Sequence, residues 1–279
     1  MKKALLLLLL IVSVSCTDDD SSQENSNVFN GDVNLATQAE LETFGLNNYT
    51  EIIGNLIIGD PNFITDINDL QYLSSLEKVG SLSISVDDLT SFNGLNNLTE
   101  VNGDFYVRSV NDNMLNFNGL NNLSTVNGNI IITRSYFTDL TGLNNLDTIS
   151  GDLEISSCYT LSSFLGFQAA IIGGDFRVIN CNFILDLSGV ESLTTINGDL
   201  IIQGNDDLTT LNGLQNLSTV GSITIGDVSQ FGWNAPNQSL SDLCAIRDLV
   251  VNGSFTQFSA SNNLYNPSVN DMLINNCRL

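Results

Sequence analysis

Residues 208–225 read LTTLNGLQNLSTVGSITI, and this stretch decides the fold. Nearly the same phrase stands at 89–107, LTSFNGLNNLTEVNGDFYV, and at 137–155, FTDLTGLNNLDTISGDLEI. Aligned on the glycine before the closing apolar pair, the copies fall at Gly54, Gly80, Gly103, Gly128, Gly151, Gly174, Gly198 and Gly221, 23 to 26 residues apart, with a weaker ninth at Gly253. A period in the low twenties, held over so many copies, is the signature of a solenoid. No copy can bury its own apolar face; stacking does it.

Each copy carries two rhythms. After the glycine the second and fourth residues are apolar, as in Leu56/Ile58, Phe105/Val107, Ile130/Ile132, Leu153/Ile155 and Leu200/Ile202. Period two predicts a strand with one face inward, and one strand per turn in a constant direction predicts a parallel sheet. Before the glycine, apolar residues recur at every third position: Leu89, Phe92, Leu95, Leu98 and Val101. That spacing over so short a span predicts extended segments joined by bends rather than an α-helix. Gly94, Gly119, Gly142, Gly166, Gly189 and Gly213 mark one such bend, where positive φ or a close backbone approach is expected. Asn97, Asn122, Asn145 and Asn216 are placed to bond between stacked turns. Gly80, Gly174 and Gly221 close turns one residue short, and Ala170 stands in for a leucine.

The phrase L-x-x-L-x-G-L-x-x-L-x-x-V-x-G-D-L-x-I, which runs from about residue 48 to the end, resembles the receptor L domain, the leucine-rich solenoid of insulin- and epidermal-growth-factor-receptor ectodomains. Bacterial surface lipoproteins carry similar repeats. The resemblance implies a mainly β fold, a right-handed parallel β-helix-like solenoid of eight to nine turns with N- and C-terminal caps. It also implies extracellular ligand binding, without a shared ligand.

The amino terminus points to the same setting. Lys2 and Lys3 precede an apolar run over 4–12 that is too short to span a bilayer, and small residues then lead to Cys16. Residues 1–15 resemble a bacterial lipoprotein signal peptide, cut before an acylated Cys16 whose chains anchor the protein to a membrane. Ser13 departs from the leucine usual three positions before the cysteine. Residues 16–27 make a polar, acidic tether with the composition of a disordered segment. Asp18, Asp19 and Asp20 resemble the acidic export signal of Bacteroidota surface lipoproteins. The expected location is the outer membrane of a Gram-negative bacterium, exposed on the cell surface.

Residues 28–279 then form one capped solenoid, with an N-terminal cap over 29–44 that includes a helical AELETF stretch and a C-terminal cap over about 233–279. Residues 240–251 have helical spacing, and Pro267 marks a second helix entry. The closing residues resemble those of bacterial L-domain lipoproteins, and in an oxidising compartment Cys244 and Cys277 are expected to bridge and staple the cap. Cys158 and Cys181 occupy one column on adjacent turns. Strand spacing of about 4.8 Å allows either a disulfide or two buried thiols.

A net charge of −23 argues against nucleic acid, which needs a basic face. The absence of histidine removes His-activated nucleophiles and His-ligated metals. The first residues after the repeat glycines, Asn55, Ser81, Asp104, Asn129, Asp152, Asp175, Asp199 and Ser222, are read as acceptors of backbone N–H groups in preference to a calcium ladder. No metal or cofactor is therefore expected.

The outward sheet face supplies the candidate binding residues Tyr106, Arg108, Ile131, Glu154, Arg177 and Ile179, with Arg134 at its edge. Mixed Tyr, Arg and Ile suit a recognition surface. The alternative is a solvated sheet whose arginines neutralise nearby carboxylates. The expected function is non-catalytic binding of an extracellular protein or glycan. Beside it stand a structural surface coat without a specific ligand and, less favoured, a polysaccharide-active β-helix enzyme. The enzyme reading lacks a clustered Asp set with a basic partner and lacks long loops to wall a cleft.

Overall fold

The computed structural model describes residues 27–109, 111–226 and 236–279. The expected signal peptide over 1–15, Cys16 and the expected tether as far as residue 26 lie outside the described residues. The fold is a parallel β-solenoid of about nine turns. Its nine main strands run from Glu51–Gly59 and Lys78–Val86 through Phe105–Ser109, Ile130–Thr133, Leu153–Ser156, Phe176–Ile179, Leu200–Gln203 and Ser222–Ile225 to Gln257–Ala260. Each pairs in parallel with the strand of the next turn, so equivalent residues stack in columns: Leu153 lies between Ile130 and Phe176, and Ile155 between Ile132 and Val178. The alternating apolar residues all point inward; Leu56, Ile84, Phe105, Ile155, Leu200 and Ile225 are buried.

A second ladder of two-residue strands precedes the glycines: Glu100–Val101, Thr125–Val126, Thr148–Ile149, Ile171–Ile172 and Thr195–Ile196. At Gly80, where the copy is one residue short, a single strand over Lys78–Val86 joins both ladders. In the copies from Gly103 to Gly198 one more residue, as at Asn102, stands between the two ladders.

The period of three has a different cause from the expected extended segments. The N–H of Leu95 donates to the carbonyl of Phe92, and that of Leu98 to Leu95, at 2.9 and 3.0 Å. The same pair of bonds recurs at Leu120 and Leu123, and at Leu214 and Leu217. The segment is a run of back-to-back turns, so the hydrogen-bond period of three is also the apolar period. The bend glycines all take positive φ, from 98° at Gly166 to 112° at Gly213. At Gly94, Gly119, Gly142, Gly189 and Gly213 the N–H is met by the side chain two residues on, as in Gly94 to Asn96 Oδ1 at 2.9 Å and Gly142 to Asn144 Oδ1 at 3.0 Å. The second asparagine reaches the turn below: Asn97 Nδ2 donates to the Ser74 carbonyl, Asn122 to Asn96, Asn145 to Asn121 and Asn216 to Glu191. The G-L-N-N phrase is thus one turn-forming glycine, one intra-turn acceptor, one core residue and one inter-turn donor.

Two sequence expectations are corrected. Ala169, fully buried, fills the leucine column; Ala170 is half-exposed and its N–H bonds to Asp147. The missing residue of that turn therefore lies before Ala169. Gly253 does not open the ninth strand either. Ser222 pairs with Gln257, which aligns Gly221 with Thr256, while Gly253 ends a helix with its N–H on the Leu249 carbonyl.

The N-terminal cap is the strand Val33–Leu35 and helix α1 (Gln38–Gly45), whose Thr37 and Glu40 form a capping box. The C-terminal cap holds helices α2 (Arg247–Asn252) and α3 (Val269–Leu273). Ser268 caps α3 with Asp271, so Pro267 sits just outside the helix. A disulfide joins Cys244 and Cys277 across the cap.

Candidate functional site

The registers place all six candidate residues on one face. Ser83, Tyr106, Ile131, Glu154, Arg177 and Ile201 form one row across six turns. Ser85, Arg108, Thr133, Ser156, Ile179 and Gln203 form the next. The six candidates are half-buried, standing between neighbours on a flat sheet. At the N-terminal end of the face, Asn55, Ile57, Ser81, Ser83, Asp104 and Tyr106 line a shallow concavity of about 230 Å³. Tyr106 forms its wall because serines precede it in both rows.

The arginines arrive already engaged. Arg177 Nη1 donates to Asp152 Oδ2 at 2.6 Å, and Nη2 to the carboxylate of Asp175. Partial burial pushes the Asp152 carboxyl up, but the Asp175 amide and the Arg177 guanidinium outweigh it and hold it below the ordinary carboxylate range. Burial lowers the Arg177 value, but the bond to Asp152 and the nearby carboxylates leave it raised. Arg108 Nη1 donates to the Pro61 carbonyl at 2.8 Å, two turns away, and its Nε is buried without a partner. It holds down a loop that displays Phe63 and Ile64, which are 72% and 89% exposed. Arg134 is exposed at the strand's end with φ at 49°.

The column after the repeat glycines is a hydrogen-bonded ladder. Asp32 Oδ1 accepts the N–H of Asn55, and Asp104 Oδ1 that of Asn129, both at 2.8 Å. Asn129 accepts Asp152, Asp152 accepts Asp175, Asp175 accepts Asp199 and Asp199 accepts Ser222, at 2.7 to 2.9 Å. Each side chain therefore serves the next turn rather than its own bend. This ladder also explains the glycine before it: a Cβ at Gly174 would stand 2.0 Å from Asp152 Oδ1. Among the described residues, no group of three or more Cys, Asp or Glu is arranged to hold a metal ion.

Inside the solenoid runs a second polar column that the sequence did not announce. Asn205 Nδ2 donates to the Val178 carbonyl, Asn237 to Ile202 and Asn263 to Ile225, each at 3.0 Å. Cys158 and Cys181 occupy this column. Their thiols face the carbonyls of Ile132 and Ile155, at 3.9 and 3.6 Å. Both cysteines are unbridged and buried, and each sulfur is turned to a strand carbonyl where an asparagine amide stands in later turns. Contact with Cys181, then burial, pushes the Cys158 thiol well above its ordinary value. Only a further apolar-to-asparagine change in one column, at Asn205, hinted at this in the sequence.

Compared with protein-family models, with curated proteins and with solved structures, the chain matches none of them.

Proposed function

We propose that this protein is a non-catalytic, lipid-anchored surface protein that binds an extracellular protein or glycan through the outward face of its parallel sheet. The observation that carries the reading is the continuous row Ser83–Tyr106–Ile131, with the concavity beside Tyr106. A large aromatic ring, a half-buried isoleucine and small hydroxyl neighbours on a rigid frame suit a recognition centre with little to lose in ordering. With Arg108 and Arg177 both engaged within the chain, their part is indirect. Tyr106 and Ile131 supply contact, Arg108 positions the loop bearing Phe63 and Ile64 beside the face, and Arg177 keeps Asp152 and Asp175 from repelling an acidic partner. The anchor at Cys16, the acidic tether and the resemblance to receptor L domains belong to the same proposal.

A structural coat without a specific ligand is the second reading, favoured by the pairing of Arg177 within the sheet itself. The test is a binding screen of the full chain against glycan and extracellular-protein panels, run beside Tyr106→Ala/Ile131→Ala. The expected result is a partner lost in the variant while its melting temperature holds. A partner retained by the variant moves the site off the sheet, and an empty screen favours the coat.

A further inference from the structure

Beyond the end of the main strands, the chain leaves the sheet through residues in the left-handed region: Arg134, Ser157 and Asn180, with φ of 49°, 54° and 55°. This fixed corner turns the first residue after it inward, as at Cys158 and Cys181, and the second outward. On two adjacent turns it presents Tyr136 and Tyr159, whose ring centroids are 5.2 Å apart. One turn further stands Phe183, 59% exposed. Between Tyr159 and Phe183 opens a cleft of about 270 Å³, lined by Ser157, Cys158, Tyr159, Asn180, Asn182 and Phe183. That volume is just below the roughly 300–1,000 Å³ of pockets for drug-sized ligands, and matches one small ring.

The chemistry of the lining narrows the ligand. On a chain with 31 acidic residues, none of the six lining residues is charged. The side chains of Ser157, Asn180 and Asn182 make no hydrogen bond to another described residue, so their hydroxyl and amide groups are available. An apolar aromatic wall with a negative π-face attracts the slightly positive C–H face of a pyranose, and amides beside it match the sugar hydroxyls in both donor and acceptor sense. An anionic ligand finds no cation in the lining, and a cationic one finds no carboxylate.

We propose that this cleft is a subsite for a single uncharged sugar ring, stacked between Tyr159 and Phe183 and hydrogen-bonded by Asn180 and Asn182. The site lies at the rim of the sheet, apart from the Tyr106 face, and stands or falls independently of the reading given to that face. Tyr136 extends the aromatic strip by one turn, so a neighbouring residue of a longer glycan would continue along it.

The test is saturation-transfer NMR on the full chain with methyl β-glucoside, methyl α-mannoside and methyl N-acetyl-β-glucosaminide. Glucuronate and an uncharged tetrapeptide serve as controls. The expected result is transfer to the ring C–H protons of at least one neutral glycoside, weakened about tenfold in Tyr159→Ala/Phe183→Ala. It should be retained in Tyr159→Phe and unchanged in Tyr106→Ala/Ile131→Ala. Both aromatic positions are exposed, and an unchanged melting temperature would certify the fold of the double variant. No transfer from any neutral glycoside overturns the proposal. So does binding that survives the double variant, or a response from the tetrapeptide alone. Loss in the Tyr106 variant instead would assign the sugar to the sheet face.

Discussion

At Gly142 the backbone has φ of 108°, and an added Cβ would stand 2.2 Å from the Phe117 carbonyl oxygen. Both the conformation and the space are denied to any other residue. Gly142→Ala is expected to cost about 3 kcal/mol or more, read as a lower urea midpoint, because the opposing atom is backbone and cannot swing aside. Asp152 makes a gentler point. Its carboxyl is held below the ordinary range, so its contribution to stability is present at neutral pH and is lost as pH falls through the folded value. Asp152→Asn keeps an oxygen for the Asp175 amide but loses the pairing with Arg177. The variant should be about 0.5–1 kcal/mol less stable at pH 7, a modest figure because the pair is partly solvated, and the gap should start to narrow near the unfolded carboxylate range of about pH 4 and close as pH falls through the lower folded value. Denaturant titrations at pH 7 and at a series of pH values below about 4 check both halves of this expectation.

At the level of the element, the interior asparagine column has the larger stake. Asn237 accepts the Asn205 amide at 3.0 Å and donates to the Ile202 carbonyl at 3.0 Å, all in buried surroundings. Asn237→Ala leaves the Asn205 N–H without a partner and the Ile202 carbonyl with the Gly226 N–H alone, and should cost about 2 kcal/mol, with amide exchange accelerating first at Asn205. This column also shows where sequence reading stops. The strand columns were legible because alternation and glycine spacing are local, and the registers through Leu153 and Ile155 follow from them directly. Ala169 was missed because a one-residue deletion can be placed at either side of it on sequence alone. The clasp of Arg108 on Pro61 joins residues 47 apart in the chain, and nothing in either neighbourhood signals the other. The pairing of Arg177 with Asp175 was nearer to hand, since residues two apart share a sheet face, yet the stronger-placed partner Asp152 comes from the turn below.

For the whole molecule, a solenoid's stability is approximately a sum over turns and their interfaces, so damage at one end stays there. The Cys244–Cys277 bridge closes a loop with a sequence separation of 33. Replacing both cysteines with serine should cost about 4 kcal/mol by the loop-entropy relation. Hydrogen exchange should speed up over the C-terminal cap and the Gln257–Ala260 strand, while turns near Phe105 keep their protection. The six half-buried candidates on the sheet would then remain correctly displayed on a molecule whose far end has frayed. The two sulfurs sealed in the middle turns, Cys158 and Cys181, give that picture its own timepiece. Among the described residues, with the cap cysteines bridged, they are the free sulfhydryls. A small alkylating reagent reaches these buried sulfurs, Cys181 above all, when the central turns part, so the rate of its uptake would count those openings with no cysteine added to the chain.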